Sequence, residues 1–97
     1  MRDRKRLLEI GEAIVALNAI EITDNYLIDA TDWVQRLESF DYPPVNHACR
    51  EIRAAIGKMK QHGYPEKEDI QRVIDLKTDD ALEIIIRDTF KTYDQGD

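Results

Sequence analysis

Apolar residues recur along this chain in steps of three and four, the spacing that gathers side chains on one face of a helix. Five stretches carry that period, over approximately 3–20, 24–39, 45–62, 65–76 and 79–93. The middle one is the best punctuated. Val45, Ala48, Cys49, Ile52, Ala55, Ile56 and Met59 share its apolar face. Pro44 suits a first turn, where a missing N–H costs nothing, and Gly63 suits the left-handed position just past a helix end. Tyr64 is placed to close over Met59, and Pro65 blocks continuation.

The first stretch repeats Leu7, Ile10, Ile14 and Leu17, and Leu8 with Val15 widens its stripe to about half the circumference. Gly11 and Asn18, seven apart, interrupt it. A mid-helix glycine costs about 1 kcal/mol relative to alanine, so Gly11 implies close approach of another backbone. A polar residue in an apolar seam can fix register or oligomeric state, so Asn18 marks a candidate self-association surface as well as a helix end bonded to backbone or water. Ile22-Thr23-Asp24 breaks the pattern and supplies cap chemistry for the second stretch. There Tyr26, Leu27, Ala30, Trp33, Val34 and Leu37 are expected to be buried, with Trp33 central and Ile28 pointing away. Ser39 to Pro44 reads as a loop held extended by its two prolines.

Beyond Gly63, Pro65 and the acids that follow it start a short helix carrying Ile70, Val73, Ile74 and Leu76. Thr78-Asp79-Asp80 reads as the cap of a last helix, with Leu82, Ile85, Ile86, Thr89, Phe90 and Tyr93 inward and Ile84 outward. Ile84 to Ile86 also suits a buried strand, but nothing in the chain offers a second strand to pair with it. The expected fold is therefore all-α, a single domain of about five helices, with frayed ends at 1–3 and 94–97.

Composition narrows the function. A chain of 97 residues is one domain, and its 42% apolar and 35% charged content is that of a folded protein with a heavily charged surface. Glu9 and Glu12 break the apolar run that a signal peptide needs after the basic start, and no apolar run approaches bilayer length. A lone Cys49 forms no internal disulfide. These features predict a cytoplasmic protein without membrane contact. The net charge of −6 opposes general affinity for nucleic acid. Its excess acid flanks a basic centre: residues 45–63 carry four basic groups against one acidic, residues 21–44 one against six, and residues 64–97 five against ten. Internal pairing is the simplest expectation for that arrangement.

No catalytic signature emerges. His47 and Cys49, two apart, point to nearly opposite sides of a helix, and Cys49 falls on the apolar face, where a thiol is inert. Ser39 lacks any signature of a nucleophile triad. His47 and Glu51 lie one turn apart, but no further His or Cys cluster supplies metal ligands, and no glycine-rich phosphate loop is present. No enzyme activity, cofactor or metal is expected. A helix-turn-helix is disfavoured because the loop before Pro44 looks too long, and because Asp79 and Asp80 at a recognition helix would repel phosphates.

Two functional readings follow. The leading one is a small acidic protein-binding module, an inhibitor, adaptor or regulator, that covers a basic protein surface with Asp24, Asp29 and Asp32 and with Asp79, Asp80 and Glu83. The alternative is a nucleotide- or phosphate-binding protein in which Arg50, Arg53 and Lys60, beside Gly57, grip the ligand. A homodimer is expected through Gly11, Asn18 and Ile84. In composition the chain is similar to many stand-alone inhibitors and adaptors, including those carried by phages, a likeness of profile and not of descent.

Overall fold

A computed structural model describes the backbone of residues 2–94 and the side chains of residues 4–91. Four helices account for most of it: α1 (Arg2–Asn18), α2 (Tyr26–Ser39), α3 (Pro43–Gln61) and α4 (Lys67–Asp94). No strand occurs among the described residues, so the all-α expectation holds. Of the ends expected to fray, Arg2, Asp3 and Asp94 are assigned to helices, and residues 1 and 95–97 lie outside the described residues.

The number of helices differs from the expected five, because 65–76 and 79–93 are one 28-residue helix. Thr78 is the reason. Its hydroxyl donates to the carbonyl of Ile74, 2.8 Å away within the helix, and lies 3.1 Å from Asn18 Oδ1 on α1. A threonine bonded back into its own helix cannot serve as a cap, which needs the residue outside the helix. Thr78 is also buried, and the core positions Ile70, Ile74, Ala81 and Ile85 continue on one face on both sides of it.

α4 packs against both α1 and α3, while α2 packs against α1 and α3. Paired positions run in opposite directions along α1 and α4: Gln71 reaches Leu17, and Ile85 lies against Gly11. At 1.5 Å per residue α4 is about 42 Å long, and it sets the long axis of a molecule measuring 51 × 22 × 19 Å. α4, the longest helix, carries α1 and α3, and α2 closes against those two. The core draws on every helix, with Ile10, Ile14 and Leu17, Tyr26, Val34 and Leu37, Val45, Cys49 and Ile52, and Ile70 and Ile74 buried together.

The connections depart from expectation in instructive ways. α2 begins at Tyr26, not at residue 24, because Thr23 and not Asp24 organises the turn: its Oγ1 accepts the Asn25 N–H and its carbonyl accepts those of Tyr26 and of Lys67 Nζ. The α2–α3 connection is only Phe40–Tyr42, since both prolines lie in the first turn of α3. Proline is pre-set for helical φ there and gives up no intrahelical bond. Asp41 makes the reversal with φ 53°, and Arg6 donates to the Phe40 carbonyl, fastening the connection to α1. The loop-length objection to a helix-turn-helix therefore falls away. Gly63 has the positive φ expected of it, at 129°, but Tyr64 is 96% exposed and does not close over Met59.

Trp33 is half-buried rather than central, with the Arg36 guanidinium 4.5 Å from its ring centroid. Among the described residues the fully buried aromatic one is Tyr26, and the side chain of Tyr93, expected inward, lies outside the described residues. Leu27, expected inward, is exposed, and Ile84, expected outward, is half-buried.

Candidate interaction surfaces

The polar interior is structural. Tyr26 Oη donates to Gln71 Oε1 at 2.6 Å, and Gln71 Nε2 donates to Asp75 Oδ1 at 2.8 Å and towards the Leu17 carbonyl at 3.4 Å. This chain of bonds ties the end of α1 and the start of α2 to α4. Burial, reinforced by the charge of Asp75, pushes the Tyr26 phenol up to about 12, so it remains a donor. Tyr42 Oη likewise donates to Asp88, and burial together with that bond raises its phenol to about 12. Cys49 is buried with Sγ 3.9 Å from the Val34 carbonyl, and desolvation lifts its thiol to about 11, the inert state its apolar position implied. Ser39 Oγ donates to the Arg36 carbonyl at 2.5 Å, an ordinary helix-end bond.

The basic flank of α3 is partly consumed. Arg53 forks onto Glu38 at the end of α2, with nitrogen–oxygen distances of 2.5 and 3.4 Å. Arg50 and Lys60 are exposed on the same side of α3, and Lys60 borders a narrow cleft of about 130 Å³ walled by α2, α3 and the start of α4. A phosphate would have to compete with Glu38 for the only guanidinium fork in that row whose geometry is fixed. Lys67 lies 3.8 Å from Asp24, and Lys77 lies 3.1 Å from Glu51. Part of the alternation of charge along the sequence is thus resolved by pairs between helices.

The acidic candidates stay at the surface. Asp29 and Asp32 are exposed on α2 beside exposed Ile28. Asp79, Asp80 and Glu83 are exposed on the outer side of α4. Next to them a groove of about 420 Å³ runs between the start of α3 and the middle of α4, bordered by His47, Glu51, Leu76, Lys77, Asp80 and Ile84. Leu76 is 66% exposed at its rim. Inside it Glu51 accepts from Lys77 and lies 2.9 Å from His47 Nε2; the Lys77 bond, foremost, holds its carboxyl below the usual range. Among the described residues no group of three or more His, Cys, Asp or Glu is placed to hold a metal ion. No described helix is long and apolar enough to cross a membrane.

The three residues singled out for self-association are separated. Ile84 faces the α3 groove. Asn18 is bonded within the chain, near Thr78 through its side chain and 3.5 Å from Gln71 Nε2 through its carbonyl, so it sets the register of α1 on α4. Gly11, half-buried like the other two, borders a second groove of about 540 Å³ between α1 and α4. An alanine methyl there would meet only Ile85 Cγ2, at an ordinary 3.8 Å, so no close approach inside the fold requires the glycine. This groove is apolar. Leu8 is 50%, Val15 57% and Phe90 64% exposed along it, with Ile86 between. Sequence reasoning placed all four in the core. The excess width of the α1 stripe was the available signal.

No family model matches the chain, and no significant match emerged from comparison with curated proteins or with solved structures.

Proposed function

We propose that this protein is a small acidic, non-enzymatic binding module that acts by covering a basic surface of a protein partner. The observation that carries this reading is the outer side of α4, where Asp79, Asp80 and Glu83 are exposed next to exposed Leu76 and a groove between α3 and α4. Carboxylates held at a surface without internal partners repel one another, and a basic partner relieves that repulsion while an adjacent apolar side chain supplies burial. Asp29, Asp32 and Ile28 on α2 repeat the combination on a smaller scale. The competing phosphate reading is weakened by the engagement of Arg53 with Glu38.

Affinity purification from the native host, followed by mass spectrometry, tests this with wild type and with Asp79→Lys/Asp80→Lys side by side. A protein retained by wild type should be lost both from the reversed variant and from wild type in raised salt. A nucleotide that raises the melting temperature of wild type but not of folded Arg50→Glu overturns the proposal in favour of phosphate binding.

A further inference from the structure

We propose that the cleft walled by α2, α3 and the start of α4 is a binding site for a small carboxylic acid with an apolar tail of about five or six carbons. Val34, Ile52, Ile70 and Ile74, all buried, form its floor, and the more exposed Leu27 and Ile56 stand nearer its mouth. Its volume is about 130 Å³. An apolar cavity of about 150 Å³ holds a benzene molecule, whereas drug-sized ligands occupy pockets of about 300 Å³ or more. The cleft therefore takes one short tail and is too small for a nucleotide. It shares no bordering residue with the α3–α4 groove, so this inference does not rest on the proposed function.

The head group follows from charge at the mouth. Arg53 and Lys60 are the charged residues that border the cleft, and among the described residues no carboxylate does. Lys60 is exposed and forms no ion pair with another described residue. Glu38 accepts from Nε and Nη2 of Arg53, which offsets the guanidinium charge but fixes its plane and leaves both Nη1 hydrogens for another acceptor. The mouth thus carries one uncompensated positive charge and one oriented donor, in a chain of net charge −6. That combination matches a monoanion. A phosphate dianion would meet the Glu38 carboxylate with twice the charge, and an ammonium head would be repelled by Lys60. Thr31, exposed on the α2 side of the cleft, adds a hydroxyl donor. Arg50 does not border the cleft, so the site differs from the phosphate-binding row considered above in its members as well as in its ligand. Burial of the tail supplies most of the affinity, and the two basic side chains fix its orientation.

Hexanoate is a suitable probe. In a methyl-resolved NMR titration it should shift the signals of Leu27, Ile56 and Ile74 saturably, with a dissociation constant on the order of 1 mM. Propionate, with the same head and a shorter tail, should bind at least about tenfold more weakly. Hexylammonium, of matched length and opposite charge, and inorganic phosphate should leave those methyls unmoved. Lys60→Gln alters an exposed position and should weaken hexanoate about fivefold or more, while Lys60→Arg, which keeps the charge, should retain it. Failure to saturate at about ten times the expected constant, an equal response to hexylammonium or phosphate, or unchanged affinity in Lys60→Gln overturns the inference. Shifts centred on Leu8 and Val15 of the other apolar groove overturn it as well. Asp79→Lys/Asp80→Lys, which tests the proposed function, should still bind hexanoate, so the two readings fail separately.

Discussion

Tyr26 and Gln71 show how a polar side chain becomes part of a core. Removing the phenol oxygen leaves Gln71 Oε1 buried without its donor, so Tyr26→Phe should cost about 1–2 kcal/mol in urea denaturation although the ring is preserved. Burial of that phenol, reinforced by the charge of Asp75, also sets a pH dependence. Folding raises the phenols of Tyr26 and Tyr42 from 10.0 to about 12, so it favours their protonated forms. That contribution is fully present below the unfolded value and is lost as pH rises through the folded one. Stability should therefore fall between about pH 10 and 12, and Tyr26→Phe should flatten the fall. Cys49 shifts in the same direction from 9.0 to about 11. A thiol reagent at neutral pH should label it only as fast as the chain unfolds; rapid labelling of native protein contradicts the buried placement. Of these residues Cys49 was legible from its place on an apolar face. Gln71 and Thr78 were not, because a polar residue at a core position carries no local sign that a partner from another helix will satisfy it.

At the scale of elements, residues 65–93 separate what periodicity can establish from what punctuation can. Thr78-Asp79-Asp80 has the composition of a cap, but cap chemistry and a continuous core stripe make opposite demands on Thr78. Ile74 and Ala81 lie seven apart, two turns of helix, so the stripe stays in phase across the supposed break, and packing against α1 decides the outcome. A substitution distinguishes the alternatives. Proline is welcome in a first turn and costs about 3 kcal/mol or more inside a helix. Asp79→Pro should therefore lower the unfolding free energy by at least about 3 kcal/mol. A nearly neutral result would mean that two helices meet at this point. The same physics misled in the other direction at Pro43, read as part of an extended loop, whereas it opens α3 together with Pro44, whose fit to a first turn was legible. Helix existence was legible almost throughout. Helix ends depended on hydrogen bonds such as Thr78 to Ile74, and Thr23 to Asn25, that tertiary packing selects.

At the scale of the whole molecule, the helix count and the open groove have one cause. Five short helices would surround α1 with enough neighbours to bury a stripe half its circumference wide. Four helices, one of them about 42 Å long, cover only part of it, and Leu8 and Val15 are left facing Ile86 and Phe90 across open space. The apolar pattern states how much surface seeks cover, not whether this chain or another provides it. Charge follows a similar logic. Arg53 with Glu38 and Lys77 with Glu51 show basic groups of one segment paired with acids of another, yet Asp79, Asp80, Asp29 and Asp32 remain exposed in a chain of net charge −6. If those carboxylates serve binding, they contribute nothing to folding and oppose it through mutual repulsion. Exposed ion pairs are themselves worth little, so the isolated protein should tolerate their reversal. Asp79→Lys/Asp80→Lys should leave the melting temperature within about 3 °C of wild type or raise it, while abolishing capture of a basic partner. A drop of more than about 5 °C would instead assign both aspartates to the fold, and would remove the basis for reading the outer side of α4 as a binding surface.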